Sequence, residues 1–113
     1  MRGFHAALVT GDSLRALEHL HPDVIIYEGG HAETLAEYRS GHLNSDIAFA
    51  GAVRREIAVD AVTLWTDAAL YTAESRATGH WRGRDIDSHG AESIILVETA
   101  GGWLIRHIHW SSR

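Results

Sequence analysis

The chain has 113 residues, a net charge of −5, 45% hydrophobic and 22% charged residues, and no cysteine. One α+β domain over residues 1–113 with a single modest core fits that length and composition, which also exclude a disordered tail. Disulfides, thiolate nucleophiles and cysteine-bound metals are excluded with cysteine. All ten basic residues are arginine, so Schiff-base lysines and phosphate-binding Gly-Lys loops are excluded too. The arginines are scattered along the chain, which argues against nucleic acid as a partner. No apolar run approaches the roughly 20 residues that span a bilayer, so no membrane partner is expected. A cytoplasmic location is the default expectation, with export left open.

In chain order, FHAALVTGDSLRALEHL carries apolar residues at Phe4, Leu8, Leu14, Leu17 and Leu20, interrupted by Gly11-Asp12-Ser13. That pattern predicts two short helices, the second capped by Asp12 or Ser13. Pro22 forbids further helix, and DVIIYE reads as a short strand ended by Gly29-Gly30-His31. From Glu33 to about Ala50 the stripe Leu35, Tyr38, His42, Asp46, Phe49 predicts one long helix with a buried face. Period-two segments follow: REIAVDAVTLW, ALYTAESRATG, DIDSHGAESIILVE and WLIRHIHWSS. The breaks at Thr66-Asp67, Gly83 and Gly101-Gly102 make them an antiparallel meander. The expected architecture is a curved antiparallel sheet of one short and four long strands, wrapped on the N-terminal helices and a long third helix, a cone with an internal pocket.

Alternation along the last strand separates Trp103, Ile105, His107, His109 and Ser111 from Leu104, Arg106, Ile108 and Trp110. An unpaired guanidinium is costly to bury. With Arg106 outward, His107 and His109 face inward. Ile108 and Trp110 then lie on the outer face and need a cover, so a homodimer through that face is expected.

His42 and Asp46 stack one turn apart on the helix face that packs onto the sheet. An aspartate there needs a partner. These four residues support three readings: an acid-base site, in which Asp46 orients His42; a zinc, copper or iron site formed by His42, His107 and His109 with Asp46 or Glu28; or a satisfied polar core. Tyr27, Glu28 and Tyr38 are candidates for the pocket mouth, Tyr38 also for the core. Glu74 and Arg76 either pair on the surface or give the pocket a carboxylate and a guanidinium. Glu92 and His89 carry the same ambiguity, with Gly90 able to host a bulge. His31-Ala-Glu33 imitates half of a zinc-deaminase motif, but the cysteine half is absent, so it reads as a solvated loop. No Gly-x-Ser-x-Gly elbow exists for a serine triad.

The Ala-x-x-x-Gly-Asp break of the first helices and the terminal Gly-Trp-x-Ile-x-His-x-His-x-Ser strand resemble the SnoaL-like branch of the nuclear-transport-factor-like superfamily. The resemblance covers essentially the whole chain. It implies a cone with an internal pocket, usually dimeric, serving polyketide cyclases, isomerases, dehydratases and non-catalytic binders. In cyclase and dehydratase members a pocket His and Asp act as acid and base, for which His42, Asp46, His107 and His109 are the candidates here. The last strand is also similar to that of calcium/calmodulin-dependent kinase association domains, which bind small carboxylates through arginines and assemble into rings; Arg76 is the candidate arginine. Iota-type carbonic anhydrases end in His-His-His-Ser-Ser, from which HIHWSS departs at Ile108 and the inserted Trp110. The resulting expectation is an enzyme acting on a small organic molecule by His/Asp acid-base chemistry, with no nucleotide or flavin. A metal protein and a non-catalytic binding or assembly module are the alternatives.

Overall fold

The computed structural model describes residues 2–113. Helix α1 (Arg2–Thr10) buries Phe4, Ala7 and Leu8 and ends at Gly11, whose φ of +77° suits a residue without Cβ. Asp12 then accepts a hydrogen bond from the Arg15 amide at 3.1 Å and caps α2 (Ser13–Glu18). Leu14 of the expected apolar stripe is exposed, and Ala16 packs in its place.

Strand β1 (Leu20–Glu28) passes through Pro22 with a register irregularity between Leu20 and Ile25. Gly29 and Gly30, both at positive φ, turn it back into β2 (His31–Glu33). This short hairpin strand replaces the expected solvated loop. Thr34 and Glu37 form a reciprocal capping box at the start of α3 (Leu35–Ser40).

The single long helix expected from Glu33 to Ala50 is divided at Gly41, where the backbone leaves helical geometry (φ −128°, ψ −88°), and resumes as α4 (His42–Ala52). The break changes which face of α4 is buried. Leu43 enters the core and His42 turns to solvent.

The long strands β3 (Val53–Leu64), β4 (Ala68–Trp81), β5 (Arg84–Thr99) and β6 (Gly102–Ser112) form the expected meander. The curved α+β sheet has six strands in the order β2-β1-β6-β5-β4-β3. It is mixed rather than purely antiparallel, because β1 runs parallel to β6. The helices cover one face, where Phe4, Val24, Ile26, Tyr38, Leu43, Ile94, Ile105 and Ile108 are almost fully buried. At about 1.5–3 kcal/mol per buried side chain, this layer is the main source of stability. Among the described residues, no helix is long and apolar enough to cross a membrane.

Strand β6 corrects the expected orientation of the histidines. Ile105 pairs with Leu96 and His107 with the preceding Ile95, which leaves Arg106 as an extra residue with no partner on β5. One extra residue inverts the alternation beyond it. Ile105 and Ile108 therefore both face the helices, as does Trp110, which packs on Phe4 and Tyr38. His107 and His109 face outward and hold the Tyr27 ring between them, with centroids at 5.3 and 5.9 Å. Arg106 satisfies its guanidinium by donating to the Asp23 carbonyl.

Candidate active site

Between the helices and the open end of the sheet lies a cavity of about 570 Å³. Strand pairing places Glu28, Trp110 and Glu92 side by side on its floor, since Trp110 is the partner of both carboxylates on β1 and β5. His5 of α1 and Asp46 and Phe49 of α4 close over them. The volume is within the range that encloses a small organic ligand.

Asp46 is the most perturbed acid of the cavity. Its Oδ2 accepts a hydrogen bond of 2.7 Å from the hydroxyl of Tyr38, a side chain with no exposed surface. Burial pushes the Asp46 carboxyl up to about 6, the Tyr38 hydrogen bond opposes the rise, and the charge of Glu28 adds to it. Burial also raises Glu28, with His42 pulling the other way. The Tyr38 hydroxyl, buried against a carboxylate, is itself held far above its usual range.

His42 does not take Asp46 as its partner, contrary to the sequence expectation. Its Nδ1 donates to Oε1 of Glu33, a carboxylate buried on β2. The hydrogen bond and the charge of Glu33 raise the imidazole above its ordinary range. Asp46, one turn further along α4, feels the charges of His42, Glu28 and Glu33.

A second network surrounds Glu92, which is 6% exposed. Trp110 Nε1 donates to it at 2.8 Å and Arg55 Nη2 at 3.1 Å, and His5 Nε2 lies 3.3 Å away. Burial pushes this carboxyl up, but the hydrogen bonds of His5 and Trp110 and the charges of His5 and Arg55 outweigh it, so Glu92 sits below its usual range. Two carboxylates of one cavity are thus driven in opposite directions, Asp46 towards neutrality and Glu92 towards permanent charge.

Of the expected site residues, the structure brings Asp46, Glu28 and Glu92 to the cavity, with Tyr38 behind Asp46, while His42 lies outside the lining, one turn before Asp46 on α4. His107, His109 and Tyr27 are on the opposite face of the sheet. His107 Nδ1 donates to the Ile25 carbonyl at 2.8 Å. The proposed metal set of His42, His107 and His109 is therefore split between two faces. No group of three or more His, Asp and Glu side chains among the described residues is arranged to hold a metal ion.

Glu74 and Arg76 are also outward. Arg76 makes two hydrogen bonds of 2.8 Å to Asp87, a surface ion pair with a different partner from the expected one. No bulge forms at Gly90, since the β4–β5 pairing is continuous from Ala68 to Trp81. Glu92 therefore faces in and His89 out. His5, Arg55 and Glu33 are site residues that periodicity did not reveal. His5 and Arg55 are defined by a partner distant in sequence, and Glu33 lies in a segment whose composition is that of a loop.

No protein-family model matches the chain, and no curated protein does. Among solved structures, a protein from Shewanella frigidimarina provisionally named a ketosteroid isomerase is 37% identical, with a TM-score of 0.93, over 97% of this chain and 90% of that one. A provisionally named calcium/calmodulin-dependent kinase II association domain from Xanthomonas campestris has the same fold at 19% identity and a TM-score of 0.81, over 97% of this chain and 80% of that one. A provisionally named dehydratase of Streptomyces avermitilis does so at 16% and 0.81, over 97% and 88%. The helix-covered cone, its cavity at the open end and the close match along nearly the whole of the Shewanella protein agree: this chain belongs to the nuclear-transport-factor-like superfamily of cystatin-like α+β cones.

Proposed function

We propose that the protein is an enzyme that moves a proton on a small, largely apolar organic molecule, with Asp46 as the acid-base group and Glu28 setting the polarity of the cavity beside it. The supporting observation is Asp46 itself. A carboxyl on the wall of a mainly apolar cavity, fixed by the Tyr38 hydroxyl and raised to about 6, is half ionised near pH 6 and mostly a carboxylate base at neutral pH. Such a group takes a proton in one step and returns it in the next. Isomerisation of an unsaturated ketone fits this chemistry. The carboxylate removes the proton from the carbon between the carbonyl and the double bond, the electron pair moves into a dienolate, and the same carboxyl reprotonates the distal carbon. The name of the Shewanella protein agrees with that reaction class. Neither a nucleotide nor a flavin is required.

The test is isomerisation of a β,γ-unsaturated 3-oxosteroid and of 3-cyclohexenone, followed by ultraviolet absorbance from pH 4 to 9. The expected rate rises along a limb centred near 6, and Asp46→Asn lowers it by about 10²–10⁴-fold, the usual contribution of a positioned base. A flat profile, or an Asp46→Asn variant at the wild-type rate, would overturn the assignment.

The outer sheet face supports a homodimer, for a reason other than the expected one. Ile108 and Trp110 are inside, but Tyr27 and Ile95 are exposed there by 45% and 37% beside the two histidines. A second copy seated on that face would cover this apolar surface.

A further inference from the structure

Glu33 is unused by the proton transfer described above, yet its placement is unusual. It is 7% exposed on a three-residue edge strand whose other members, His31 and Ala32, are exposed. A carboxylate is costly to bury without a partner. Its partner is His42 Nδ1, and the hydrogen bond fixes which imidazole nitrogen carries the proton. Nε2 makes no hydrogen bond to the described residues, and the His42 side chain is 50% exposed. The imidazole thus joins two environments. It stands one turn before Asp46 on the same face of α4, and it also meets bulk water. The groups that act on it are Glu33 of β2, Glu28 of β1 and Asp46 of its own helix, with Tyr38 of α3 bound to the last.

We infer that Glu33 and His42 form a proton relay that connects Asp46 of the cavity to solvent. The inference rests on Asp46 being the acid-base group. In the relay, neutral His42 keeps its Nδ1 proton on the Glu33 carboxylate and presents the Nε2 lone pair. The proton that Asp46 has gained leaves its oxygen for Nε2, directly or through one water molecule. Asp46 becomes a carboxylate, and the imidazolium is stabilised by Glu33. The Nε2 proton then passes to bulk water and His42 is neutral again. Glu33 is a positioning residue in this scheme, and its proton count does not change.

Nuclear magnetic resonance of the full chain, labelled with ¹⁵N-histidine and ¹³C-aspartate and titrated from pH 4 to 9, tests the relay without a substrate. Neutral His42 is expected in the Nδ1–H tautomer, with His42 and Asp46 titrating in coupled steps. Glu33→Gln should lower the His42 midpoint and release the ring to the Nε2–H tautomer. His42→Gln, which removes the positive neighbour, should raise the Asp46 midpoint. Ketone isomerisation in heavy water adds a catalytic readout, in which both variants incorporate several-fold less solvent deuterium per turnover than the wild type. An Asp46 midpoint unmoved by His42→Gln, or a His42 tautomer unmoved by Glu33→Gln, overturns the relay and leaves the pair as a clip between β2 and α4. Uncoupled titrations with an Asp46-dependent rate remove the relay alone. Coupled titrations with an Asp46-independent rate remove the base assignment, and with it the proton the relay would carry.

Discussion

The Tyr38 hydroxyl and the Asp46 carboxylate meet at 2.7 Å across the break at Gly41, one residue on α3 and the other on α4. The contact ties a buried core side chain to the wall of the cavity, so the position of the acid is set by the packing of the hydrophobic core. Tyr38→Phe removes a hydrogen bond that favours the ionised carboxylate. The acid limb of the rate profile should therefore move to higher pH, with a stability loss of about 1–2 kcal/mol from the lost bond. A pH-rate series and a urea titration on the same variant check both effects, and an unmoved limb would detach Tyr38 from the chemistry.

Asp46 also makes a prediction about stability. Its folded-state value is raised from 3.8 to about 6, so the folded protein holds this proton more tightly than the unfolded chain does. The carboxyl consequently destabilises the fold once ionised. The cost is absent below about pH 4, grows as the pH rises towards 6 and is complete above that. Asp46→Asn keeps an oxygen for Tyr38 and removes the charge. It should be more stable than the wild type by about 1–3 kcal/mol at pH 8 and nearly equal to it at pH 4. Thermal melts of both proteins at the two pH values decide the point, and a constant difference would contradict it.

The strands β3 to β6 and the turns between them were legible because period two and the Thr66-Asp67, Gly83 and Gly101-Gly102 breaks are local signals. The Gly11-Asp12 junction was legible for the same reason. Two local irregularities were not. Nothing in WLIRHIHWSS marks Arg106 as an extra residue, because a bulge is decided by how β6 registers on β5 and β1. That single residue moved both histidines to the other face. Gly41 could be read as a tolerated helical glycine, yet it divides the helix and exchanges the partner of His42 from Asp46 to Glu33. Asp46 kept its place because an aspartate on an apolar stripe demands a partner whatever the exact phase. Glu92, His5 and Arg55 converge from separate elements, which no periodicity records.

His107 and His109, on the outer face, test the inverted alternation. His107→Ala loses the hydrogen bond to the Ile25 carbonyl and a contact with Tyr27, and should cost about 1 kcal/mol in stability. Neither His107→Ala nor His109→Ala should shift the rate limb near pH 6. Either variant shifting it, in a protein that melts normally, would return the histidines to the site.

Ile95 probes the same face as an interface. It lies 37% exposed between neighbouring strands of the outer surface, where an arginine is tolerated in a monomer but excludes a second sheet. Sedimentation equilibrium should find a dimer for the wild type and a monomer for Ile95→Arg, with unchanged circular dichroism. A monomeric wild-type protein at micromolar concentration would remove the proposed dimer.

Glu92 is predicted to be a structural anchor whose charge is required. Its carboxylate receives Trp110 Nε1 and Arg55 Nη2 and lies beside His5, with almost no exposed surface of its own. In Glu92→Gln the amide oxygen can still accept from Trp110, but the new NH₂ group faces donors, and the half-buried guanidinium loses its counter-charge. Breaking a buried charged pair from one side costs about 3–5 kcal/mol, and the retained acceptor and the partial exposure of Arg55 reduce this to about 2–3 kcal/mol. The sign of the pH dependence is opposite to that of Asp46. The folded-state value of Glu92 is lowered, so its contribution is present above the ordinary carboxylate range and lost as the pH falls through the folded value. The penalty of Glu92→Gln should therefore be full at pH 7 and shrink in acid, whereas Glu74→Gln on the outer face should stay within about 0.5 kcal/mol of the wild type throughout. Urea unfolding followed by tryptophan fluorescence at pH 7 and pH 4 measures both variants, and a Glu92→Gln penalty independent of pH would mean that the network holds by shape rather than by charge.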